Sequence, residues 1–453
     1  MIFIIILAGI LIFSGFAFLL IEKPYYLVSV FVFLHLYDVN IPLPGPLDLR
    51  GLISIALFLR LVFFDKKNVD LIKESLSSKL TILLIIFILY TNAIYFLTGS
   101  SIFMTIKVLV LNIVAFLIGY LTIRNGYGKK TIVTAIVLTG ILATADLIYT
   151  YLVKGSLACI RIIDSLLGIN TLYNHNEFGL LCGEALIITI LLNIYKQIDK
   201  RTFFILFSIS SLGVLISTSR MVIIATIVTL VLIFFFQNEF KINFRKVFSI
   251  SFVGATLFVI VIFSYSYILS AMNLPTEFAD QIYWRLVQEP LSFLGDDTQK
   301  FTTQGNEFEG SMTWRIDKVG RDIGVFFAQK NSVVFFGFGQ GGYFKIGRIQ
   351  FKKGNIFQYA SHNFYTNLIA ETGTIGLFLF LLIPISTIFY GIKMIKKGKL
   401  HFSFIYLILY LFVFSFGASS DLTNKYAYIL YGCIVADFIA VLYSKKQINQ
   451  LEN

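Results

Sequence analysis

The sequence contains few charged residues, which make up 14% of the chain against about 25% in soluble domains. Hydrophobic residues account for 57%, and the mean hydropathy is +0.82. A chain with so few charged side chains does not resemble a soluble globular protein, so a multi-pass membrane protein is predicted. Phenylalanine occurs 48 times, which suits a surface that contacts lipid.

Other absences exclude further classes. The three cysteines, Cys159, Cys182 and Cys433, are too few and too scattered for a disulfide framework or a metal site. The N-terminus lacks a basic region and a small-residue cleavage site, so its apolar run is expected to be a retained span, not a signal peptide. No Walker sequence is present, which argues against ATP-driven transport by this chain alone.

Long apolar runs predict an all-α polytopic fold. A bilayer core of about 30 Å needs roughly 20 apolar residues per helix, which gives about 12–14 transmembrane helices here. The predicted spans are 2–21, 24–38, 49–64, 79–97, 102–123, 131–153, 177–195, 202–219, 221–236, 247–271, 373–391, 402–418 and 426–443.

The basic residues indicate the orientation. Lysine and arginine are concentrated in every second short loop, for example around 66–79, 124–130, 196–201, 241–246 and 393–399. The alternate short loops carry only Arg50, Lys154, Arg161, Arg220 and Lys425. Because cytoplasmic loops are enriched in basic residues, the first set is predicted to be cytoplasmic. This topology explains the net charge of +12, and nucleic acid is not expected as a partner.

One outer loop is much longer than the others. Residues 272–372 contain no span but include both tryptophans, and apolar residues recur at roughly helical spacing from Trp314 to Phe327. We therefore predict a helical extracytoplasmic cap before the last three helices. The predicted organisation is an N-terminal bundle over 1–271, a cap over 272–372 and C-terminal helices over 373–453. The inner loops are too short for a nucleotide-binding domain, so chemistry is expected outside the cytoplasm.

A polar cluster closes this loop. His362 lies among Ser361, Asn363 and Asn367, and Glu371 follows just before the next span. A neutral imidazole can accept a proton from a hydroxyl group, and Glu371 could orient that imidazole or bind sugar hydroxyls. The alternatives are a histidine at the membrane interface and a carboxylate that favours a helix N-terminus.

Three arginines are candidate anion ligands on the same side. Arg220 lies at the tip of a tight predicted hairpin, where its guanidinium group would suit a diphosphate; the alternative is an interfacial side chain. Arg315 begins a predicted cap helix and could instead pair with Asp322, seven residues later. Arg285, beside Trp284, is a further candidate, for which a solvated surface position is the preferred explanation.

Polar residues also occur at and within the spans. Asn174 and Asn176 open the seventh predicted span, where they could bind sugar hydroxyls or simply cap the helix. Lys107, Glu184 and Asp146 lie inside apolar runs, and such residues usually pair or line a cavity. The sequence does not decide whether Lys107 pairs with either acid.

Five segments, in this order, resemble motifs of the O-antigen ligase and O-antigen polymerase superfamily of bacterial surface-polysaccharide enzymes. They are Asn174-His175-Asn176-Glu177-Phe178-Gly179, Ser217-Thr218-Ser219-Arg220, Trp314-Arg315, Phe336-Gly337-Phe338-Gly339-Gln340-Gly341, and Ser361-His362-Asn363 through Glu371-Thr372-Gly373-Thr374-Ile375-Gly376. The last is the most specific. The resemblance covers about residues 170–395, and the first 150 residues match only in hydropathy.

The resemblance implies a membrane glycosyltransferase that needs no metal, cofactor or nucleotide sugar. Its donor would be an oligosaccharide on undecaprenyl diphosphate, and an acceptor sugar hydroxyl would displace the lipid diphosphate. In this interpretation Arg220 and Arg315 stabilise the leaving diphosphate and His362 acts as the base. Glu371, Asn363, Asn174, Asn176 and Arg285 would bind substrate.

We expect a polymerase of lipid-linked repeat units in the bacterial cytoplasmic (inner) membrane, with its active site on the extracytoplasmic face. Its partners would be the donor and acceptor lipids, membrane lipids and a chain-length regulator protein. A ligase that moves the glycan to lipid A core would use the same motifs. A flippase of lipid-linked sugar is the alternative from another class, which the large cap argues against and the intramembrane charges favour.

Overall fold

A computed structural model describes residues 24–36, 49–63, 66–126, 128–154, 175–217, 219–236, 312–350, 363–396, 404–416 and 425–451. This part of the chain is helical, without strands. The helices are α1 (Pro24–Leu36), α2 (Leu49–Phe63), α3 (Lys66–Ser75), α4 (Lys79–Leu97), α5 (Ile102–Arg124), α6 (Gly128–Lys154), α7 (His175–Ile194), α8 (Lys200–Ile216), α9 (Arg220–Phe236), α10 (Met312–Phe327), α11 (Asn331–Phe336), α12 (Gly342–Gln350), α13 (Phe364–Lys396), α14 (Ile405–Phe414) and α15 (Lys425–Leu451).

The predicted all-α polytopic class is confirmed. Within the described ranges, five helices are long and apolar enough to cross a membrane: α4, α5, α6, α7 and α13. Every predicted span in these ranges coincides with a helix, whereas spans 2–21 and 247–271 lie outside them. The total of about 12–14 spans therefore stays a prediction. Apolar side chains such as Leu89, Phe378 and Phe389 are 52%, 63% and 69% exposed, as expected for helices that face lipid.

Small residues allow the closest helix contact in the bundle core. α5 and α15 pack side by side, and glycines lie at their contact surface on both helices. A Cβ atom at Gly119 would collide with the Ile429 carbonyl group, and one at Gly432 would collide with the Phe116 carbonyl group. Membrane helices commonly use small residues in this way to bring their backbones together. The contact joins the N-terminal bundle to the last helix of the chain.

A short amphipathic helix occupies one of the predicted cytoplasmic loops. α3 covers Lys66–Ser75, which was expected to be a connecting loop because it carries several lysines. Glu74 at its end accepts hydrogen bonds from the Arg124 guanidinium group at 2.9 and 3.0 Å. Leu71 is only 8% exposed, so the apolar side of α3 is buried against the bundle, whereas Lys67 and Lys73 are exposed.

The described part of the predicted cap contains three helices, α10 to α12. Phe326 and Ile346 from these helices form a small core with Ile369 and Ala370 of α13. The predicted span 373–391 corresponds to α13, which begins nine residues earlier, at Phe364. Its polar first segment escaped the hydropathy criterion, because apolar residues dominate only after Gly373. The cap is thus packed directly on the beginning of α13.

Candidate functional site

α13 is interrupted at Gly373, where the backbone has φ 71° and ψ −176°. This conformation is essentially restricted to glycine, because a Cβ atom would clash with the neighbouring backbone. A break in a helix releases carbonyl groups in the preceding turn from the regular hydrogen-bond pattern. The interruption therefore creates a set of acceptors in the segment 370–372 that need donors from elsewhere.

The donors come from the glycine-rich turn of the cap and from α4. Each of the three carbonyl groups before the break accepts one hydrogen bond. The turn donates two backbone N–H groups, and α4 donates one tyrosine hydroxyl group. The pairs are Phe338 N to Ala370 O at 2.8 Å, Gly339 N to Glu371 O at 3.0 Å, and Tyr90 Oη to Thr372 O at 2.9 Å. The turn thus replaces part of the hydrogen bonding that the helix loses at Gly373.

Gly337 and Gly373 let the two segments meet backbone to backbone. Gly337 has nearly the same conformation, with φ 77° and ψ −177°. A Cβ atom at Gly337 would lie 2.6 Å from the Gly373 nitrogen, and one at Gly373 would collide with the Phe335 carbonyl group. Two of the sequence motifs, which are some thirty residues apart, therefore form a single structural unit.

The Glu371 side chain is held at this junction. Its Oε1 accepts a hydrogen bond from the Gly341 N–H at 2.8 Å, and its Oε2 accepts one from the Tyr95 hydroxyl group at 2.6 Å. The side chain is half-buried. The carboxylate is therefore fixed by one donor from the cap turn and one from α4, and its position depends on both.

The Glu371 side chain also lines a cavity of about 370 Å³ between α4, α5, α12, α13 and α15. Its lining combines polar side chains with aromatic and aliphatic ones. The lining residues are Phe87, Ile88, Thr91, Asn92, Tyr95, Val108, Asn112, Tyr343, Phe364, Asn367, Leu368, Glu371 and Tyr428. In the predicted topology this cavity lies in the outer half of the bundle, with Tyr343 of the cap helix α12 at its edge.

Several polar atoms around this cavity have no protein partner in the described part of the chain. They are Asn92 Oδ1, Thr91 Oγ1 and Asn367 Oδ1. Asn92 is only 6% exposed, and its Nδ2 group donates a hydrogen bond to the Ile88 carbonyl oxygen at 2.7 Å. A buried acceptor without a donor is unfavourable, so these atoms are suited to bind water or a ligand.

Asn363, predicted to bind substrate, caps the first segment of α13. Its Oδ1 accepts a hydrogen bond from the Thr366 N–H at 3.0 Å, which is the geometry of an N-cap. Its Nδ2 group donates to the Phe416 carbonyl oxygen at 2.7 Å and so ties α13 to the end of α14. These contacts account for an asparagine here, and a role in substrate binding stays a prediction.

The two N-terminal motifs are also brought together. A Cβ atom at Gly179 would lie 2.5 Å from the Ser217 Oγ atom, so the start of α7 packs tightly on the hairpin before α9. Arg220, at the first position of α9, is half-buried and does not line the cavity. Asn176 is half-buried in the first turn of α7. Their predicted roles stay predictions.

Several predicted site residues lie outside the described residues. They are His362, Asn174 and Arg285. His362 directly precedes Asn363, and hence the capped end of α13. Its predicted role as a base is therefore untested, as are the substrate contacts of the other two residues.

Arg315 belongs to α10, but its side chain is not described. Asp322, its alternative partner, accepts hydrogen bonds from Lys318 Nζ at 3.0 and 3.2 Å. Lys318 and Asp322 are 1% and 2% exposed, so this ion pair is buried. The cap helix thus carries a second basic residue on the face that was predicted for Arg315.

The intramembrane acids differ in their surroundings. Asp437 pairs with Lys129 at 2.9 Å, near the predicted cytoplasmic ends of α15 and α6. Glu184 and Asp146 are 0% and 1% exposed within the bundle. The suggested pairing of Lys107 with either of these acids stays undecided.

The sequence analysis missed the contributions of α4 and α5 to the cavity. Asn92, Tyr95 and Asn112 lie within apolar runs and match no motif. A usable signal was present, because amide side chains inside a membrane span are unfavourable unless they have a partner or a function. That signal does not say which helices approach one another.

Together these features define a multi-pass helical membrane protein whose interrupted helix joins the helices of the predicted cap to a polar cavity. Residues 205–381 match the model of a family described as O-Antigen ligase. This match confirms the resemblance to the O-antigen polymerase and ligase superfamily, a glycosyltransferase-like class of enzymes. The matched stretch includes Arg220, Arg315, His362 and the junction at Gly373. A comparison with curated proteins finds no match.

Proposed function

We propose that this protein is a polymerase that joins undecaprenyl-diphosphate-linked oligosaccharide repeat units into a surface polysaccharide. The reaction would take place at the outer face of the bacterial cytoplasmic membrane. The donor and the acceptor are both lipid-linked, and no metal or nucleotide sugar takes part. A chain-length regulator is a further expected partner.

The main support is the junction at Gly373. It brings together the two most distinctive sequence motifs, holds the Glu371 carboxylate with Gly341 and Tyr95, and places that carboxylate at a polar cavity. Residues from both motifs fall within the matched stretch 205–381. A glycosyltransferase of this class needs such an arrangement, since it must hold sugar hydroxyls beside a membrane-embedded lipid.

The proposed reaction is a single displacement. The acceptor hydroxyl oxygen forms a bond to the anomeric carbon of the donor, and the bond from that carbon to the diphosphate oxygen breaks. The hydroxyl proton passes to His362, which acts as the base and orients the acceptor. Arg220 and Arg315 stabilise the negative charge that develops on the leaving diphosphate. Glu371 is proposed to hold sugar hydroxyls.

Reconstitution of the purified full-length protein tests this reaction. With an undecaprenyl-diphosphate repeat unit as the only substrate, we expect a ladder of longer glycans on a gel. His362→Ala and Arg220→Ala should each lower the extension rate at least 100-fold, which is about 2.7 kcal/mol of transition-state stabilisation. Arg201→Ala, an exposed arginine at the start of α8, is the matched control and should retain activity.

Each outcome has a distinct meaning. A wild-type protein that gives no longer glycan would refute the polymerase proposal. Full extension by both the His362 and the Arg220 variant would refute the assigned site while the function stands. Movement of the lipid-linked sugar across a vesicle membrane without any new glycosidic bond would favour the flippase alternative.

The family description favours a ligase as the second candidate, because the matched model is described as O-Antigen ligase. A ligase would transfer the finished glycan from undecaprenyl diphosphate to lipid A core or another acceptor. The glycan profile of a deletion strain separates the two. A single repeat unit on the normal acceptor indicates a polymerase, whereas an unglycosylated acceptor with accumulated lipid-linked polymer indicates a ligase.

A further inference from the structure

The cavity beside Glu371 has the size of a small-molecule site. Its volume of about 370 Å³ lies at the lower end of the range of about 300–1,000 Å³ that is typical of such sites. Two of its polar lining residues are buried, because Asn92 is 6% and Asn112 is 9% exposed. A compact ligand or a group of ordered water molecules would fit.

The charge of the cavity argues against a phosphate group as its occupant. Among the described residues that line it there is no lysine, arginine or histidine, and the one carboxylic acid among them is Glu371. A diphosphate brought here would meet this carboxylate without a compensating cation from the described lining, and an acidic sugar would meet the same repulsion. The cavity chemistry therefore favours a ligand without negative charge.

The polar groups of the cavity suit hydroxyl groups. Asn92 Oδ1, Thr91 Oγ1 and Asn367 Oδ1 have no protein partner in the described part of the chain, and they come from two helices, α4 and α13. Asn112 adds a further amide from a third helix, α5. Hydroxyl groups can both donate to and accept from amides, so a polyhydroxylated ring can satisfy several of these atoms at once.

Aromatic residues complete this pattern. Tyr343 from the cap, Phe87 from α4, and Phe364 and Tyr428 from α13 and α15 line the same cavity. A sugar ring has apolar C–H surface between its hydroxyl groups, and aromatic side chains provide a rigid surface on which it can pack. Amides and aromatic rings around one cavity are what an uncharged sugar requires.

We propose that this cavity binds one uncharged sugar residue of the substrate, with Asn92 and Asn112 as specificity-determining residues. The identification of the ligand as part of a lipid-linked glycan rests on the proposed function. The sugar binds apart from the diphosphate, which is held elsewhere by cationic side chains. Asn92 and Asn112 therefore select the sugar unit without taking part in the displacement at the anomeric carbon.

Binding by the full-length protein in lipid nanodiscs tests the proposal without turnover. The sugar probe is the repeat-unit oligosaccharide released from the host's own surface polysaccharide, followed by saturation-transfer NMR. Asn92→Leu and Asn112→Leu should each weaken its binding about three- to tenfold, which matches the loss of one hydrogen bond. Inorganic pyrophosphate is the anion probe, and its affinity should be the same in the wild type and both variants.

Two controls separate a local effect from damage to the fold. Asn193→Leu makes the same chemical change at the C-terminal end of α7, which does not line the cavity. This variant should bind the oligosaccharide like the wild type. Asn92→Gln keeps an amide and should recover part of the binding that Asn92→Leu loses. Unchanged pyrophosphate affinity shows that each variant is folded.

The possible results decide the matter. The proposal is overturned if the wild type gives no saturation transfer, since the cavity then holds water only, or if both leucine variants bind the oligosaccharide normally. The same variants in the chain-extension assay should raise KM and leave kcat nearly unchanged. A wild type that binds sugar through Asn92 but extends no chain would leave the subsite standing and refute the polymerase alone. Extension with unchanged KM and binding in both variants would refute the subsite alone.

Discussion

Replacing Gly373 with alanine should strongly destabilise the protein. An L-residue at φ 71° and ψ −176° is strained by about 1–3 kcal/mol, because this region is nearly exclusive to glycine. The new Cβ atom would also collide with the Phe335 carbonyl group, which the cap turn holds in place. Overpacking of this kind costs about 1–3 kcal/mol.

The two effects together predict a loss of about 2–6 kcal/mol in the free energy of unfolding. This is a large part of the roughly 5–15 kcal/mol that stabilises most proteins. If the protein relaxes instead, the glycine turn must separate from α13, which removes the Gly341 hydrogen bond to Glu371. Glycan extension should then fall together with stability.

Thermal unfolding of the purified protein in detergent provides the measurement, with an expected decrease of roughly 5–10 °C in the midpoint for Gly373→Ala. Gly324→Ala is the matched control, because this helical glycine lies in open space with nothing within 4 Å of an added Cβ atom. It should leave the midpoint unchanged or raise it slightly, since alanine favours a helix. Equal midpoints for both variants would show that the interruption of α13 is not as described.

Three further predictions concern single contacts. Tyr95→Phe removes the hydroxyl group that donates to the Glu371 carboxylate, and it should lower kcat/KM for glycan extension about tenfold. Tyr390→Phe, on the exposed side of α13, is the control and should have no effect. Equal activities of the two variants would contradict this role of Tyr95. Gly119→Ala should lower the thermal midpoint, because its Cβ atom would push α15 away from α5 by a collision costing about 1–3 kcal/mol, and normal stability would exclude the close helix contact. Asn363→Ala should cost about 1–3 kcal/mol through loss of the cap and the tie to α14; lost activity at an unchanged midpoint would instead indicate a substrate contact.

The sequence predicted the helices well because hydropathy is a local property. Each span predicted within the described ranges coincides with a helix, and the cap helix Met312–Phe327 lies where its apolar spacing indicated. The predicted start of this span, residue 373, lies after the observed start of α13 at Phe364, and the difference has a physical reason. The segment Phe364–Glu371 is helical, and its Asn367 and Glu371 line a cavity. A criterion based on bilayer burial excludes a segment with such polar side chains.

The candidate site was only partly predictable. The motif around Glu371 was recognised, but the donors that hold its carboxylate, Tyr95 and Gly341, depend on contacts between distant helices. Asn92 and Asn112 were visible only as amides within apolar runs, and nothing in their spacing connects them with Glu371. Gly373 was predicted to begin a span, because apolar residues dominate only after it. The structure places it inside α13 as an interruption.

The hydrogen bonds from the cap turn to α13 have a mechanical consequence. Lifting the turn away would break the bonds of Phe338, Gly339 and Gly341 to the segment 370–371, at about 0.5–1.5 kcal/mol each, and expose carbonyl groups to a low-dielectric surrounding. The turn and this stretch of α13 should therefore move together as one rigid body. A displacement of the cap would be transmitted to the Glu371 carboxylate, so that the cavity and its cover cannot change shape independently.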